Sequence, residues 1–560
     1  MQVVTTAPVV RLPLLDRYLD EQKKMTAVER FSHLHETRGL AEGERVYRDL
    51  VPLDRPKPGQ QYAFQVDLDA CTGCKACVTA CHSMNGLDQA EAETWRSVGL
   101  LQGGSPGAAV QQTITTACHH CIDPACMHGC PVNAYEKDPI TGIVRHLDDQ
   151  CIGCQYCTLT CPYEVPQFNR RLGIVRKCDM CSGRLEAGEA PACVQACPNE
   201  AISIRIVETA AVLEEAQADD FLPGAPSPGI TAPTTSYVSK RALPRNMLPA
   251  DFYQVRPGSE HTPLVFMLVL TQWSVGAFAV EFALRRMPGL AFPSQSRPLH
   301  AIMAVVVGLL ALSASTVHLG RPLYAMRALI GLRTSWLSRE ILLFGLFAGL
   351  AVTYAGLTWW LAWPARGSTA PAAILPWLAA CVSATGLLGV LCSVMLYHAT
   401  KKELWSVSRT GFRFFATTAV LGMASAILAA ATARDLGALA PGARSMALVL
   451  AAVGACKLLW EFGMVAHLRD KQLTELKRTA VLLTGELKPL FASRVFLGIA
   501  FGVLCPLLTA HAWGAPAVHR ASVIVGGVLS VAGIAVAEIL ERMLFFRAVC
   551  VPRMPGQWGR

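Results

Sequence analysis

Charge is scarce in this chain. Asp, Glu, Lys and Arg make up 16% of its 560 residues and apolar residues 52%, an unusually low charged share for a soluble protein of this size. No basic tract with interleaved aromatics occurs, so the formal charge of +9 speaks for membrane topology rather than nucleic acid. No kinase, nucleotide-binding or DNA-binding motif is present, which argues against a membrane redox sensor. The N-terminus shows no charged-then-apolar export signal and no twin-arginine start.

Cysteine, by contrast, is abundant and clustered. Sixteen of the 21 cysteines lie between Cys71 and Cys197. They form four groups: Cys71, Cys74, Cys77, Cys81; Cys118, Cys121, Cys126, Cys130; Cys151, Cys154, Cys157, Cys161; and Cys178, Cys181, Cys193, Cys197. Two groups have the C-x2-C-x2-C-x3-C spacing of bacterial ferredoxins, and three closing cysteines precede Pro131, Pro162 and Pro198. Three close cysteines on a tight loop reach three irons of one cubane, while the fourth points away to another cluster. Four thiolates per cluster make sixteen enough for four [4Fe–4S] clusters. Cysteines this close mostly cannot span disulfide geometry, and a zinc site leaves the third close cysteine unused. Thiols that must stay reduced until metal is loaded suggest cytoplasmic assembly. The other five, Cys381, Cys392, Cys456, Cys505 and Cys550, lie in or beside apolar runs and read as packing residues.

In chain order, residues 1–60 read as an extension or arm, with an amphipathic helix expected over Leu14–His35. Residues 61–206 read as the cluster domain. Strands are expected at Phe64–Asp67 and Ala201–Ile206, and a hairpin between Ala134 and Arg145. Ile122, Ile152, Tyr156, Tyr163 and Val165 would keep water from the clusters. His82, His119, His120 and His128 read as surface groups or as groups behind the ligands. Residues 207–261, rich in Pro, Ala and Gly, read as a linker, and 549–560 as a tail.

Residues 262–548 hold eight apolar runs long enough to cross a bilayer, near 263–284, 299–320, 340–363, 373–397, 412–433, 445–466, 495–513 and 521–546. Pro506 should kink the seventh. An even number of crossings returns the chain to the cluster side. Fourteen Lys and Arg fall in loops on that side (Arg321, Arg327, Arg333, Arg339, Lys401, Lys402, Arg409, Arg413, Arg469, Lys471, Lys477, Arg478, Lys488, Arg494). Seven fall opposite (Arg285, Arg286, Arg297, Arg366, Arg434, Arg444, Arg520). The bias places the clusters in the cytoplasm, on a multi-pass protein of the bacterial cytoplasmic membrane.

Ionisable groups in a span are functional candidates. His318 ends the second span and Glu340 opens the third, both on the cluster side. A quinol gives up two protons with its two electrons, so its site needs proton acceptors beside an electron acceptor. The alternative is that both groups cap helices or pair with Arg321 and Arg339. Glu281, Lys457, Glu461, Glu538 and Glu541 are further candidates, with Lys457 and Glu461 spaced to pair on one helix face. His300, His318, His398, His467 and His511 sit mostly at span ends, which disfavours haem.

Residues 61–206 resemble the four-cluster electron-transfer subunit of the dimethyl sulfoxide reductase family of molybdoenzymes, through CIGCQYC, CPYEVPQFN, KCDMC and PACVQACP. Residues 262–548 resemble that family's haem-free eight-span anchor, through HLGRP, SWLSRE and ERMLFF. The expected fold is thus an α+β domain of two ferredoxin units fused to an all-α eight-helix transmembrane bundle. The resemblance implies crossed ligation: Cys71, Cys74, Cys77 with Cys197; Cys178, Cys181, Cys193 with Cys81; Cys118, Cys121, Cys126 with Cys161; Cys151, Cys154, Cys157 with Cys130. Cys154 stands where a related nitrate reductase subunit has tryptophan, so four cubanes are implied. It also implies menaquinol oxidation at His318 and Glu340, no haem, and a catalytic partner that alone carries molybdopterin. The chain itself is not expected to transform the terminal substrate. Two alternatives use the same parts: a sulfite dehydrogenase-type enzyme feeding electrons back to quinone, or an ion-translocating polysulfide reductase-type module.

Overall fold

The computed structural model describes Leu14 and residues 48–287, 293–362 and 370–556. Apart from Leu14, the helix expected at Leu14–His35 lies outside them. The first half runs β1 (Gln60–Asp67), α1 (Ala76–Met84), β2 (Ser97–Ser105), β3 (Ala108–Thr116), α2 (Ala125–Gly129), β4 (Tyr135–Lys137), β5 (Val144–His146), α3 (Tyr156–Thr160), β6 (Gln167–Asn169), β7 (Ile174–Arg176), α4 (Ser182–Glu186), α5 (Ala192–Gln195), β8 (Ile202–Glu208), α6 (Thr209–Gln217), β9 (Ser236–Val238) and β10 (Leu248–Pro249).

The cysteine loops explain the short helices. Gly73 and Gly153, inside CTGC and CIGC, sit at φ +73° and +69°, a left-handed turn that costs glycine nothing. Each loop then turns into a helix; α1 runs on past Cys81 to Met84, whereas α2 and α3 stop just before Cys130 and Cys161. Cys130 and Cys161 are extended (ψ 121° and 115°), as the clash with a following proline demands.

β1 pairs antiparallel with β8 (Gln60↔Glu208 to Val66↔Ile202). β4 and β5 form the expected hairpin. Residues 207–261 are not a bare linker, however. α6 packs there, β9 adds to β1 in parallel and β10 adds to β2. Nor do residues 549–556 form a loose tail. Met554 is buried in the core of the cluster domain, and Arg553 pairs with Glu164 at 3.2 Å.

The second half is α7 (Thr262–Leu284), α8 (Arg297–Val317), α9 (Trp336–Leu361), α10 (Ala370–His398), α11 (Val407–Ala431), α12 (Leu436–Phe462), α13 (Glu475–Thr484), α14 (Lys488–Ile499), α15 (Cys505–Trp513) and α16 (Arg520–Arg547). Eight helical stretches among the described residues are long and apolar enough to span a membrane. Leu310, Leu346, Leu459 and Leu508 are about half exposed or more, which suits lipid and not water. The seventh span joins α14 to α15 through a π-helical turn, Ala500–Leu504, which ends two residues before Pro506. The wider turn relieves the clash between the proline ring and the carbonyl four residues back.

The α8–α9 connection carries HLGRP and docks on the third cysteine loop. The Arg321 amide donates to Ile152 O at 3.0 Å and the Gly331 amide to Pro131 O at 2.8 Å. Arg321 and Arg327 reach the carbonyls of Asp148 and Asp149 at 2.9 and 2.8 Å. Gly320 is wedged there: a Cβ added to it would lie 2.1 Å from Gly173 O. Gly320→Val is therefore expected to cost roughly 1–3 kcal/mol or more and to open this connection to protease. An unchanged cleavage pattern and melting temperature would show that the wedge tolerates a side chain.

Candidate functional site: thiol groups and the cavity beside them

The sixteen cysteines gather in space across the sequence groups. Cys77 has Cys197 and Cys71 as thiol neighbours. Cys81 has Cys193 and Cys181. Cys126 has Cys161, Cys118 and Cys121. Cys157 has Cys154, Cys130 and Cys151. Burial pushes Cys81, Cys154 and Cys161 up to about 12, so the thiolate form needs metal to stabilise it.

Two buried cations test the fit of anionic clusters. Arg96 and Lys177 are 2% and 3% exposed. Among the described residues neither has a carboxylate within ion-pair distance. The Lys177 ammonium lies 3.6 Å from Cys118 Sγ. A buried charge without a counter-charge costs several kcal/mol, and thiolate-bound iron–sulfur clusters would supply one.

A cavity of about 270 Å³ lies where the two halves meet. Cys154 and Tyr156 line it from the third cysteine group, His318 and Glu340 from the ends of α8 and α9, and Tyr397 from α10. Both residues singled out in the sequence thus face one space beside a cysteine. Tyr156 clamps the wall by donating to Leu396 O at 2.6 Å. Ser393 donates to the Glu340 carboxylate. The cations that might have paired with Glu340 are engaged elsewhere. Arg339 donates to the carbonyls of Leu332 and Arg333, and Arg321 to that of Asp148. The buried Nε2 of His318 has no hydrogen-bond partner among the described residues.

Sequence reading missed His261. It lines the same cavity, its ring 5.8 Å from that of His318, and its Nε2 lies 2.7 Å from the exposed Ser259 Oγ. Its place at the start of the first span, on the cluster side, was the available signal.

The other candidates lie elsewhere. Glu281 meets Arg285 at 2.5 Å and the Tyr354 hydroxyl at 2.6 Å, with His300 at 3.5 Å. Lys457 and Glu461 do pair, at 3.8 Å, within a larger buried network that includes Glu538 and Glu541. Of the histidines near thiols, His119 and His120 are buried rather than superficial; His119 packs edge-on to Tyr163 at 4.5 Å.

Residues 110–206 match a 4Fe-4S dicluster domain, and residues 255–547 match the DMSO reductase anchor subunit (DmsC). Over 158 residues the protein is 35% identical to the B subunit of the anaerobic dimethyl sulfoxide reductase of Haemophilus influenzae, covering 27% of its own length and 76% of that subunit. Over 150 residues it is 38% identical to the corresponding B subunit of Escherichia coli K12, covering 25% and 72%. It is 37% identical over 172 residues to the hydrogenase-2 operon protein HybA of E. coli O157:H7, covering 26% of its own length. The match spans only about half of HybA's length, 52%. The protein therefore carries iron–sulfur clusters in its first half and is an integral membrane protein in its second. With more than half its length matching that anchor, it belongs to the DMSO reductase anchor subunit family, as a fusion of the iron–sulfur subunit and the membrane anchor.

Proposed function

We propose that this chain is the electron-transfer and anchor subunit of a quinone-linked molybdopterin oxidoreductase, passing electrons from menaquinol to a catalytic molybdenum subunit through four [4Fe–4S] clusters. The observation that carries the reading is the cavity shared by Cys154, His318 and Glu340. The thiol neighbours support the crossed ligation: Cys151, Cys154, Cys157 and Cys130 beside the cavity; Cys118, Cys121, Cys126 and Cys161 next; then Cys178, Cys181, Cys193 and Cys81; and Cys71, Cys74, Cys77 and Cys197 outermost. When bound, such clusters accept and release single electrons. The residues of the chain do the rest. Glu340 and His318 take up the protons of the quinol, and the apolar wall around them excludes water. Cys74 is exposed, so the outermost group is where the catalytic partner docks.

Orientation rests on loop charge. Arg413 and Arg494 are buried in ion pairs and Arg285 and Arg297 face Glu281, so these four leave the tally. Twelve against five still favours clusters on the cytoplasmic side of the cytoplasmic membrane.

A Cβ added at Gly345, on the cavity wall, meets nothing within 4 Å. Gly345→Phe should fill the space without disturbing the helix contacts. Reduction of the clusters by a menaquinol analogue should then fail while dithionite still reduces them. Undiminished quinol reduction would mean that quinol binds elsewhere.

A further inference from the structure

The buried cations occupy particular places along the proposed line of thiol groups. Between the cavity group and the Cys118 group stands Tyr135, a buried neutral phenol with Cys157, Cys126 and Cys130 as neighbours. The next gap, between the Cys118 and Cys178 groups, holds Lys177. Its ammonium lies 3.6 Å from Cys118 Sγ, donates to Cys178 O at 2.8 Å, and is tied to Val144 O. The last gap holds Arg96, with Cys77 on one side and Cys193, Cys178 and Cys81 on the other. Its guanidinium sits 4.7 Å over the Phe64 ring and donates to Thr115 Oγ1 at 3.3 Å. Thr115 Oγ1 in turn lies 3.6 Å from Cys77 Sγ. Asp179 lies beside Lys177 and also acts on Cys178 and Cys181, where its negative charge opposes reduction.

We infer that Lys177 and Arg96 are positioning charges that raise the potentials of the clusters on either side of them: Lys177 those of the Cys118 and Cys178 groups, and Arg96 those of the Cys178 and Cys71 groups. The inference rests on the four-cluster reading above. A one-electron reduction adds one negative charge, and a fixed cation nearby stabilises the reduced form. In a water-poor interior that effect is strong. Of these two cations the Cys178 group neighbours both, the Cys118 and Cys71 groups one each, and the cavity group neither; Lys137 at Cys121, His146 at Cys151 and Asp179 at Cys178 and Cys181 act on the same row and stay constant in the comparison.

The test is a potentiometric titration of the full chain with its catalytic partner, followed by electron paramagnetic resonance, with iron counted on the same samples. Lys177→Met should shift two cluster potentials downward, and Arg96→Met should shift two, with one cluster common to both. Lys177→Arg and Arg96→Lys, which keep the charge, should leave all four near the parent values. The cavity cluster should move in none. Lys177→Gln and Arg96→Gln are titrated beside the Met variants; they keep a donor for the local oxygens, so a loading defect in one pair leaves the other to be read. Unchanged potentials in iron-replete neutral variants, or equal shifts in the charge-preserving ones, would overturn the inference. Fewer than four cluster signals in the parent protein would instead overturn the four-cluster reading.

Discussion

Glu340→Gln is expected to slow reduction of the clusters by a quinol analogue by about 10²–10⁴-fold, the range for losing a positioned acid–base group, while dithionite reduces them as before. The amide keeps the shape of the side chain and can still accept from Ser393, as the carboxylate does. What it loses is the ability to take a proton. Glu340 is buried, 3% exposed, and among the described residues it has no cationic partner that would hold it ionised as a structural pair. It opens onto the cavity shared with Cys154, so a proton leaving the quinol has an acceptor where the electron has one. His318→Ala should show a related loss. Unchanged quinol turnover in Glu340→Gln would remove the carboxylate from the reaction and leave it a role in packing alone.

The chemistry of this site was legible because it is written locally. A cysteine loop declares its ligands within a dozen residues, and an apolar run declares a span within about 20. His318 and Glu340 stood out because ionisable side chains are rare at the ends of such runs. Their meeting on one cavity required the α8–α9 connection to fold back onto the third cysteine loop, and only the glycine in HLGRP hinted at that. Here Gly320 lets two backbones approach closely, a contact that no periodicity reports.

Other features were hidden because they depend on distant pairing. β2 contains three glycines in nine residues, a weak strand by propensity. It is held by β3 and by β10, nearly 150 residues on. Residues 207–261 have the composition of a linker, yet Ser236–Val238 is ordered by backbone bonding to β1, to which composition is blind. Arg96 and Lys177 look like surface residues in the sequence. Only the fold encloses them among thiols.

The buried charge network of the second half shows the same limit, and its disruption should have the largest effect on stability. Lys457 and Glu461 are neighbours on one helix, but Arg413, Arg494, Glu538, Glu541 and Arg542 come to them from three other helices. All seven are less than 9% exposed. Arg494 grips both Glu461 oxygens at 3.0 and 3.1 Å and reaches Glu538 at 3.1 Å. Lys457 and the Thr417 hydroxyl complete the shell of Glu538. Arg494→Leu would leave two carboxylates short of a cation in a medium that cannot solvate them. The expected loss is about 3–5 kcal/mol, since removing one partner of a buried pair exposes the full desolvation cost of the other. Thermal unfolding in detergent should show it as a clear fall in melting temperature. Pairing Arg494→Leu with Glu461→Leu should recover part of the loss, because an apolar pair replaces an ion pair at little net cost. The recovered double variant should still pass electrons from quinol to the clusters at the parental rate, because the cavity and its acids are untouched. A normal melting temperature in Arg494→Leu would show that the network is not what holds α12, α14 and α16 together. A stable double variant that no longer turned over quinol would give these charges a part in moving protons.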